Sequence, residues 1–374
     1  MTTVKKVSQW GLVTAAIMLA LILAFYSLAN AATPIVNIPC GQDIDATINA
    51  DDRGTAHRFV LGANCSNPFT ASETIVPSNG DVVACAVAPT FVQLTPASDP
   101  NQAAFDPTTK CTVAGPGVEN VFRPIGQGGT TATVRFEGIK ITGGKYTGST
   151  GSGAAIAEGS MTNLSSHYGI EVMDNEAAGI LSAKGTFERV EFTNNTKVSN
   201  ALGVIGSGLK ARNEVEVKNS YVHDTQGNGI WCDNYCEDAP TTTHPHGFWV
   251  HHNLVVNNDR AGIRFERVGD ISTAGEALIE YNEVHGNSTH ENRGGISVRD
   301  AQNATIQNNL FGKVTIGGVT YDPNDRAAII ASDSGRSSRP NLLNIDIVNN
   351  TLNGEIIKGC ELRDEIVYCS GNTP

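Results

Sequence analysis

A repeat of 33 residues in the second half of the chain limits what this protein can fold into. The phrase Gly-Ile-x-apolar-x begins at Gly229, Gly262 and Gly295, and a decayed copy begins at Ala328. The copies alternate apolar and polar positions, which is the periodicity of a β-strand, whereas a helix would show apolar residues at steps of three and four. The repeat therefore predicts a solenoid of stacked strands and excludes helical solenoids of similar period.

A second phrase, apolar-x-x-Asn-x-apolar, occurs once per repeat. Its copies are Val250/Asn253/Val255, Ile279/Asn282/Val284, Ile306/Asn309/Phe311 and Ile347/Asn350/Leu352. One repeat is too short to close a core of its own, so successive repeats must stack and bury their Ile and Val columns. We predict that the recurring Asn lies at a bend and that its amide bonds the Asn of the next coil, while Gly permits the turn before the strand.

The start of the chain has the pattern of a secretory leader. Lys5 and Lys6 precede an apolar run from Trp10 to Leu28, and Ala29-Asn30-Ala31 supplies the small residues that a signal peptidase needs. We expect residues 1–31 to be a signal peptide, with an uncleaved membrane anchor as the alternative because the run approaches spanning length. Cleavage leaves a secreted or envelope protein with no membrane partner.

The remaining chain divides into three predicted parts. Residues 32–121 form an N-terminal cap and first rungs that carry disulfides, residues 122–354 form the coil, and residues 355–374 form a tail closed by a disulfide. Ile44 and Ile48, followed by Phe59-Val60-Leu61, predict a short helix and a first strand that cap the open end of the solenoid. Such a cap is needed because an exposed last rung invites edge pairing.

All 8 cysteines follow the predicted leader. An even number in a chain bound for an oxidising compartment predicts disulfides rather than metal thiolates. A zinc site at Cys232 and Cys236 is the alternative, but it lacks the two-residue spacing and a second pair. Sequence does not fix the connectivity, although proximity favours four short loops: Cys40–Cys65, Cys85–Cys111, Cys232–Cys236 and Cys360–Cys369.

The formal net charge of −12 bears on the partners of the protein. Loss of Lys5 and Lys6 with the leader makes the mature chain still more negative, so it repels phosphate backbones and anionic membranes. We therefore expect no nucleic-acid partner. We also expect a monomeric protein.

The repeats resemble the right-handed parallel β-helix proteins of the pectate-lyase-like superfamily, over about Phe122 to Gly354. Within that superfamily the chain is similar to a group of secreted bacterial proteins of ill-defined activity. The matching residues are Gly208-Leu209-Lys210, Gly229–Asp233, Asn253, Asn257-Asn258 and Gly262–Glu266. The resemblance implies an all-β, right-handed parallel β-helix of a kind that most often handles polysaccharides, although a fold alone does not give a function.

Two columns of side chains face outward if Ile230, Ile263 and Ile296 point into the coil, because side chains alternate along a strand. Adjacent rungs lie about 4.8 Å apart, so the two columns form one continuous surface, which we call the polar patch. Its first column is Lys210, Trp231, Arg264 and Ser297, and its second is Arg212, Asp233, Glu266 and Arg299.

The polar patch suits a sugar acid. Trp231, expected to be exposed, offers a flat face for a pyranose ring, and arginines hold a carboxylate through two hydrogen bonds. Lys210 or an Arg can then take the proton beside that carboxylate, which is the step of uronate elimination or C5 epimerisation. Related lyases pair calcium carboxylates with an Arg or Lys base on a β-helix face. The predicted catalytic residues are Lys210, Asp233, Arg264 and Glu266, the substrate-binding residues are Trp231, Arg212 and Arg299, and the calcium ligands are Asp233 and Glu266.

Three other interpretations of the polar patch stay open. Arg212 with Asp233, and Glu266 with Arg299, could be structural ion pairs between rungs. A glycoside hydrolase could use Asp233 and Glu266 as its two carboxylates, although no neighbouring Asp pair accompanies them. A non-catalytic sugar-binding or adhesive module is the third interpretation. The arrangement of Lys210, Asp233 and Glu266, in a groove or on a flat face, discriminates between catalysis and binding.

Overall fold

The computed structural model describes residues 33–50, 54–94, 105–124, 133–149, 151–158, 165–197, 206–233, 246–266, 277–288, 293–333, 342–362 and 366–374. The chain divides into two units, Met1–Ile35 and Val36–Pro374, and the coil of strands lies in the second. The predicted signal peptide lies outside the described residues, as does Cys236 of the predicted Cys232–Cys236 pair.

The chain coils through three strand faces, which we number I, II and III in the order of one repeat. Face I contains β10 (Ile156–Ala157), β17 (Asn228–Asp233), β20 (Ile263–Glu266), β23 (Ile296–Arg299), β27 (Ile329–Ser332) and β29 (Ile357–Lys358). Two long strands bend from face I into face II: β13 (Ile180–Glu188) and β15 (Ser207–Lys218).

Face II continues with ten strands. They are β1 (Ile35–Ile38), β2 (Arg58–Leu61), β4 (Val82–Cys85), β8 (Arg135–Glu137), β11 (Ser165–Tyr168), β18 (Phe248–His251), β21 (Ala277–Glu280), β24 (Gln302–Gln307), β28 (Leu343–Val348) and β30 (Val367–Ser370). Face III contains β3 (Phe69–Thr70), β7 (Cys111–Ala114), β9 (Ile139–Thr142), β12 (Glu171–Met173), β14 (Glu191–Thr193), β16 (Tyr221–His223), β19 (Leu254–Val256) and β22 (Glu283–His285).

Strands of successive repeats pair in parallel on each face. Ile230 pairs with Ile263 on face I, Val250 with Ile279 on face II, and Val255 with Val284 on face III. Parallel crossovers of this kind are right-handed. The predicted all-β, right-handed parallel β-helix is therefore confirmed.

The core consists of the inward columns of the three faces. Ile230, Ile263 and Ile296 are fully buried, as are Cys232, Phe265 and Val298 two positions further along the same strands. This register confirms the predicted inward residues, and it leaves the residues between them on the outer surface of face I.

The predicted asparagine ladder runs along the corner between faces II and III. The side-chain amide of Asn253 donates to Asn282 (2.9 Å), Asn282 to Asn309 (3.0 Å), Asn309 to Asn350 (3.0 Å) and Asn350 to Asn372 (3.0 Å). The residue before each ladder position turns the chain through the left-handed region, as His252 does at φ 57°. The ladder is confirmed, since asparagine satisfies backbone groups that the corner leaves unpaired.

A second asparagine ladder, which the sequence did not reveal, lies at the corner between faces III and I. The amide of Asn258 donates to Asn287 (2.9 Å) and that of Asn287 to Asn324 (2.9 Å). The amide of Asn324 then donates to Glu355 Oε1 at 3.1 Å. Two of the three corners are thus fixed by stacked buried amides.

A short helix and two hairpins complete the described elements. Helix α1 (Ile44–Asn49) buries Ile44 and Ile48, and the side chain of Asp43 caps it by accepting from Ala46 N at 3.0 Å. This agrees with the predicted capping helix. The hairpins are β5 (Thr90–Gln93) with β6 (Phe105–Thr108), and β25 (Val314–Ile316) with β26 (Val319–Tyr321). No helix in the described ranges is long and apolar enough to cross a membrane.

Three disulfides agree with the predicted pairing: Cys40–Cys65, Cys85–Cys111 and Cys360–Cys369. The first two join cysteines 25 and 26 residues apart, and the third joins cysteines 9 residues apart. We expect replacement of Cys85 and Cys111 by Ser to lower the free energy of unfolding by about 3 kcal/mol, because a longer unfolded loop is released. Urea denaturation measures this, and the Cys360/Cys369 double variant should lose less. Equal losses would contradict the loop-entropy explanation.

His223 on face III lies between two carboxylates. Its Nδ1 is 2.6 Å from Asp224 and its Nε2 is 3.0 Å from Glu191. Burial lowers the pKa of His223, but the hydrogen bonds to Asp224 and Glu191 outweigh it, so the net pKa is raised.

The raised pKa of His223 predicts how stability depends on pH. The contribution of the protonated ring is fully present below the unfolded value of about 6.5 and is lost as pH rises through the folded pKa. We therefore expect the wild-type melting temperature to fall over that window. His223→Gln should flatten this part of the curve, as thermal melts from about pH 5 to pH 9 would show. If the melting temperature of His223→Gln fell with pH as steeply as that of the wild type, His223 would not be the cause of the pH dependence.

Candidate functional site

The first column of the polar patch is held by four neighbouring strands of face I. Lys210 on β15 pairs with Trp231 on β17, Trp231 with Arg264 on β20, and Arg264 with Ser297 on β23. In the second column, Asp233 pairs with Glu266 and Glu266 with Arg299. The structure therefore brings these predicted residues together in the predicted register.

The indole ring of Trp231 lies between two cations from the adjoining rungs. Lys210 Nζ is 4.2 Å from the ring centroid, and Arg264 Cζ is 5.0 Å from it. A cation within about 6 Å of an indole is attracted to the ring, more strongly where water is excluded. The ring thus fixes the positions of both positive charges.

Each of these cations also has a carboxylate partner. Lys210 Nζ is 2.8 Å from Asp233 Oδ2, and Arg264 Nη2 is 2.5 Å from Glu266 Oε2. Arg264 and Glu266 can meet because residues two apart lie on the same side of a strand. The two positive and two negative charges thereby cancel.

The observed pairing differs from the predicted ion pairs between rungs. Glu266 binds Arg264, while Arg299 Nε lies 4.0 Å from Asp300 Oδ2. The backbone of Arg212 belongs to β15, but its side chain lies outside the described residues. The predicted substrate contact and ion pair of Arg212 therefore stay predictions.

The expectation of an exposed tryptophan was wrong. Trp231 is only 5% exposed, and Lys210, Arg264 and Glu266 are 4–8% exposed. The rungs before and after Trp231 place Lys210 and Arg264 against its ring, and these contacts contribute to its burial. The side chains of Asp233 (21%) and Arg299 (35%) remain more accessible.

The N–H of the Trp231 indole has no hydrogen-bond partner in the part of the chain that the structure describes. A buried donor that is left unsatisfied costs about 1–3 kcal/mol, so such groups call for an explanation. An acceptor oxygen supplied by a ligand would satisfy this donor. The unpaired N–H is the feature of the polar patch that points most directly to a bound molecule.

The predicted calcium ligands do not fit a calcium ion as they stand. Calcium takes 6–8 oxygen ligands, whereas Asp233 and Glu266 each already bind a cationic side chain. Over the described ranges, no group of three or more His, Cys, Asp and Glu side chains is placed to hold a metal ion.

Sequence reasoning missed a second charged cluster on face II. Glu216 accepts from His251 Nε2 (3.2 Å) and Lys218 Nζ (3.1 Å), and the Trp249 ring stacks on His251 at 4.3 Å. Burial raises the pKa of Glu216, but the hydrogen bond from His251 and the charge of Lys218 outweigh it and lower the value to about 2. The signal was the alternation of Glu216 and Lys218 with buried valines in the second half of β15.

The chain is similar, at low sequence identity, to solved structures of other proteins. No family model matches the chain, and no curated protein matches it in sequence. The A-module of the mannuronan C-5 epimerase AlgE4 of Azotobacter vinelandii is 12% identical over 88% of this chain and 90% of that module, with a TM-score of 0.48. The tailspike protein gp49 of the Acinetobacter baumannii bacteriophage Fri1, a capsular polysaccharide depolymerase, is 12% identical over 92% of this chain and 57% of the tailspike, with a TM-score of 0.44.

At these identities and TM-scores the two proteins say nothing about the residues or the reaction of this one. The strand pairing of the chain itself establishes the architecture, in which three parallel faces follow one another from rung to rung. The protein is a right-handed parallel β-helix protein.

Proposed function

We propose that the polar patch binds an acidic, uronate-containing polysaccharide and acts on it by abstracting the C5 proton, as a lyase or a C5-epimerase. One observation carries this proposal. A buried indole with an unpaired N–H lies between Lys210 and Arg264, so a ring, a hydrogen-bond donor and two cations converge on successive rungs.

Recognition of a uronate would use these cations. A sugar carboxylate can replace Glu266 on Arg264, because a guanidinium binds a carboxylate through two parallel N–H donors. The Trp231 N–H would donate to a sugar oxygen, and Arg299, whose side chain is more accessible, would hold a neighbouring carboxylate. The contact at Arg264 would exchange the internal pair with Glu266 for a pair with the ligand.

The proposed chemistry needs Lys210 as a neutral amine. The amine takes the C5 proton, and Arg264 stabilises the charge that develops on the sugar carboxylate. In elimination, the C5–H electron pair forms a C4=C5 double bond while the C4–O bond breaks and the leaving oxygen takes a proton from water. In epimerisation, C5 instead receives a proton from water on the opposite face of the ring.

A binding-only module is the second candidate function. The observation that favours it is the burial of Lys210, Arg264 and Glu266 together with their internal ion pairs. In the unbound protein, the proposed base Lys210 and the proposed carboxylate-binding Arg264 are therefore both already paired. Hydrolysis has less support, because it needs a carboxylic acid that donates a proton, whereas Asp233 and Glu266 both accept from cations. The three disulfides suit an extracellular site of action.

The experiment is a screen of the full chain against polymannuronate, polyguluronate, polygalacturonate and hyaluronan, with dextran as the neutral control. Elimination would raise ultraviolet absorbance through the new double bond, and epimerisation in D2O would place deuterium at C5, seen by NMR. Product from an acidic glycan alone supports the proposal. Binding without product selects the binding-only module, and neither binding nor product refutes both.

A further inference from the structure

We propose a second site: a pocket on face II, near the N-terminal end of the coil, that binds the carboxylate of a single uronate residue. The cavity has a volume of about 390 Å³. We call it the arginine pocket. Its lining includes Arg58 of β2, Arg135 and Glu137 of β8, Tyr168 of β11 and the segment Ala86–Pro89.

The arginine pocket carries an excess positive charge. Arg58 Nη2 is 2.5 Å from Glu137 Oε2, and Arg135 Nε is 2.6 Å from Glu137 Oε1. Two guanidinium groups thus share one carboxylate, and a formal charge of +1 remains. In a chain of net charge −12, such a local excess favours an anionic ligand.

Hydrogen-bond donors also remain in this pocket. A guanidinium has five N–H donors, and among the described residues Glu137 is the one side-chain partner of both Arg58 and Arg135. Their side chains are 37% and 47% exposed, so a ligand can reach them. A planar carboxylate matches the fork of either guanidinium.

Tyr168 adds a neutral donor and an aromatic edge. Arg189 Nη1 donates to the Tyr168 hydroxyl oxygen at 3.2 Å, which leaves the phenolic hydrogen to bind an acceptor on a ligand. Phe91 holds the Tyr168 ring edge-on at 5.7 Å. A phenol that lines the same pocket as two guanidinium groups suits a sugar acid, which presents hydroxyl oxygens next to its carboxylate.

The wall of the pocket is built into the fold. Pro89 packs against two consecutive corners of the coil at Gly138 and Gly169, which have φ values of +60° and +59°. A Cβ atom would lie 2.8 Å from Pro89 at Gly138 and 2.7 Å from it at Gly169, closer than real Cβ contacts. Cys85, bonded to Cys111, fixes the start of the same wall. Glycine at both corners is therefore required for the pocket to have this shape.

Size and position limit the ligand. The cavity is at the lower end of the range of about 300–1,000 Å³ for small-molecule sites, so it suits a short saccharide rather than a long chain. The arginine pocket lies on face II, whereas the polar patch lies on face I. Binding here therefore does not depend on the activity proposed for the polar patch.

Titration calorimetry of the full chain with glucuronate tests the arginine pocket, with glucose as the neutral analogue and inorganic sulfate as a simple anion. We expect Arg135→Gln to weaken the affinity for glucuronate at least about tenfold, because hydrogen bonds to charged groups are lost. The matched control is Arg326→Gln, which removes an exposed arginine paired with Asp325 at 3.4 Å. Trp231→Ala should leave this binding unchanged, which separates the pocket from the polar patch.

Gly138→Ala provides a test that keeps both arginines. It should displace Pro89 and weaken glucuronate binding, while a thermal melt confirms that the coil remains folded. Unaltered affinity in both Arg135→Gln and Gly138→Ala would overturn the site. Equal affinity for glucose would overturn the role of charge, and equal affinity for sulfate would overturn the assignment to a uronate.

Discussion

Asn282→Ala is expected to lower the free energy of unfolding by about 3 kcal/mol. The Asn282 side chain accepts from the backbone N–H and the amide of Asn253, and it donates to Asn309 and to the carbonyls of Val250 and Glu280. Alanine would leave several of these fully buried groups without partners, in a position that water cannot easily reach. Equilibrium urea denaturation measures the loss.

Asn37→Ala is the matched control, because Asn37 is exposed on β1. It should change the stability by less than about 0.5 kcal/mol. Asn287→Ala, in the second ladder, should behave like Asn282→Ala. If both ladder variants unfold at the urea concentration of the wild type, the amide stacks do not stabilise the corners of the coil.

The strand register was predictable because the inward columns are chemically uniform. Isoleucine recurs at 230, 263 and 296, so the residues between these strand positions had to face outward and align from rung to rung. The first asparagine ladder was predictable for the same reason, since each Asn stands at a fixed distance from two buried apolar residues. Repetition supplied the evidence in both cases.

The second asparagine ladder and the buried His167 were not predictable, because neither recurs in a regular sequence pattern. Asn258, Asn287 and Asn324 follow Asn, Gly and Pro, where asparagine is ordinary loop composition. His167 occupies an inward position of β11, fully buried between Phe136 and Phe187, where its Nε2 is 2.9 Å from Glu158. A histidine can be predicted at a buried position only when the carboxylate that binds it is known. The sequence does not show that this partner is Glu158.

The members of the candidate site were predictable, but its pairing and burial were not. The register placed Lys210, Trp231 and Arg264 in one column. Which carboxylate each cation would choose depends on side-chain conformation, and Arg264 binds Glu266 on its own strand. Trp231 is also contacted by the cations of the adjoining rungs, whose charged groups lie near its ring.

Lys210→Met is expected to reduce turnover of an acidic polysaccharide at least about a hundredfold, because a positioned base contributes about 10²–10⁴-fold. Affinity for the polysaccharide should change much less, since Arg264 and Trp231 remain. The measurement is the initial rate of double-bond formation or of deuterium incorporation at C5, together with binding to the same substrate.

Lys218→Met is the matched control for this variant. Lys218 lies on the same strand, β15, but on face II, where it binds Glu216 at 3.1 Å. Its replacement should leave turnover unchanged. Turnover by Lys210→Met equal to that of the wild type would remove Lys210 from the mechanism.

The most direct test of the proposal that face I binds the polysaccharide is the affinity of Trp231 variants for a soluble oligouronate. We expect Trp231→Ala to weaken binding at least about tenfold, because the N–H donor and the ring that positions Lys210 and Arg264 are both lost. Trp231→Phe keeps an aromatic ring and should weaken binding less. Trp249→Ala, which removes the half-buried tryptophan of face II, should bind like the wild type. Unchanged affinity in both Trp231 variants, or a loss confined to Trp249→Ala, would contradict binding at the polar patch.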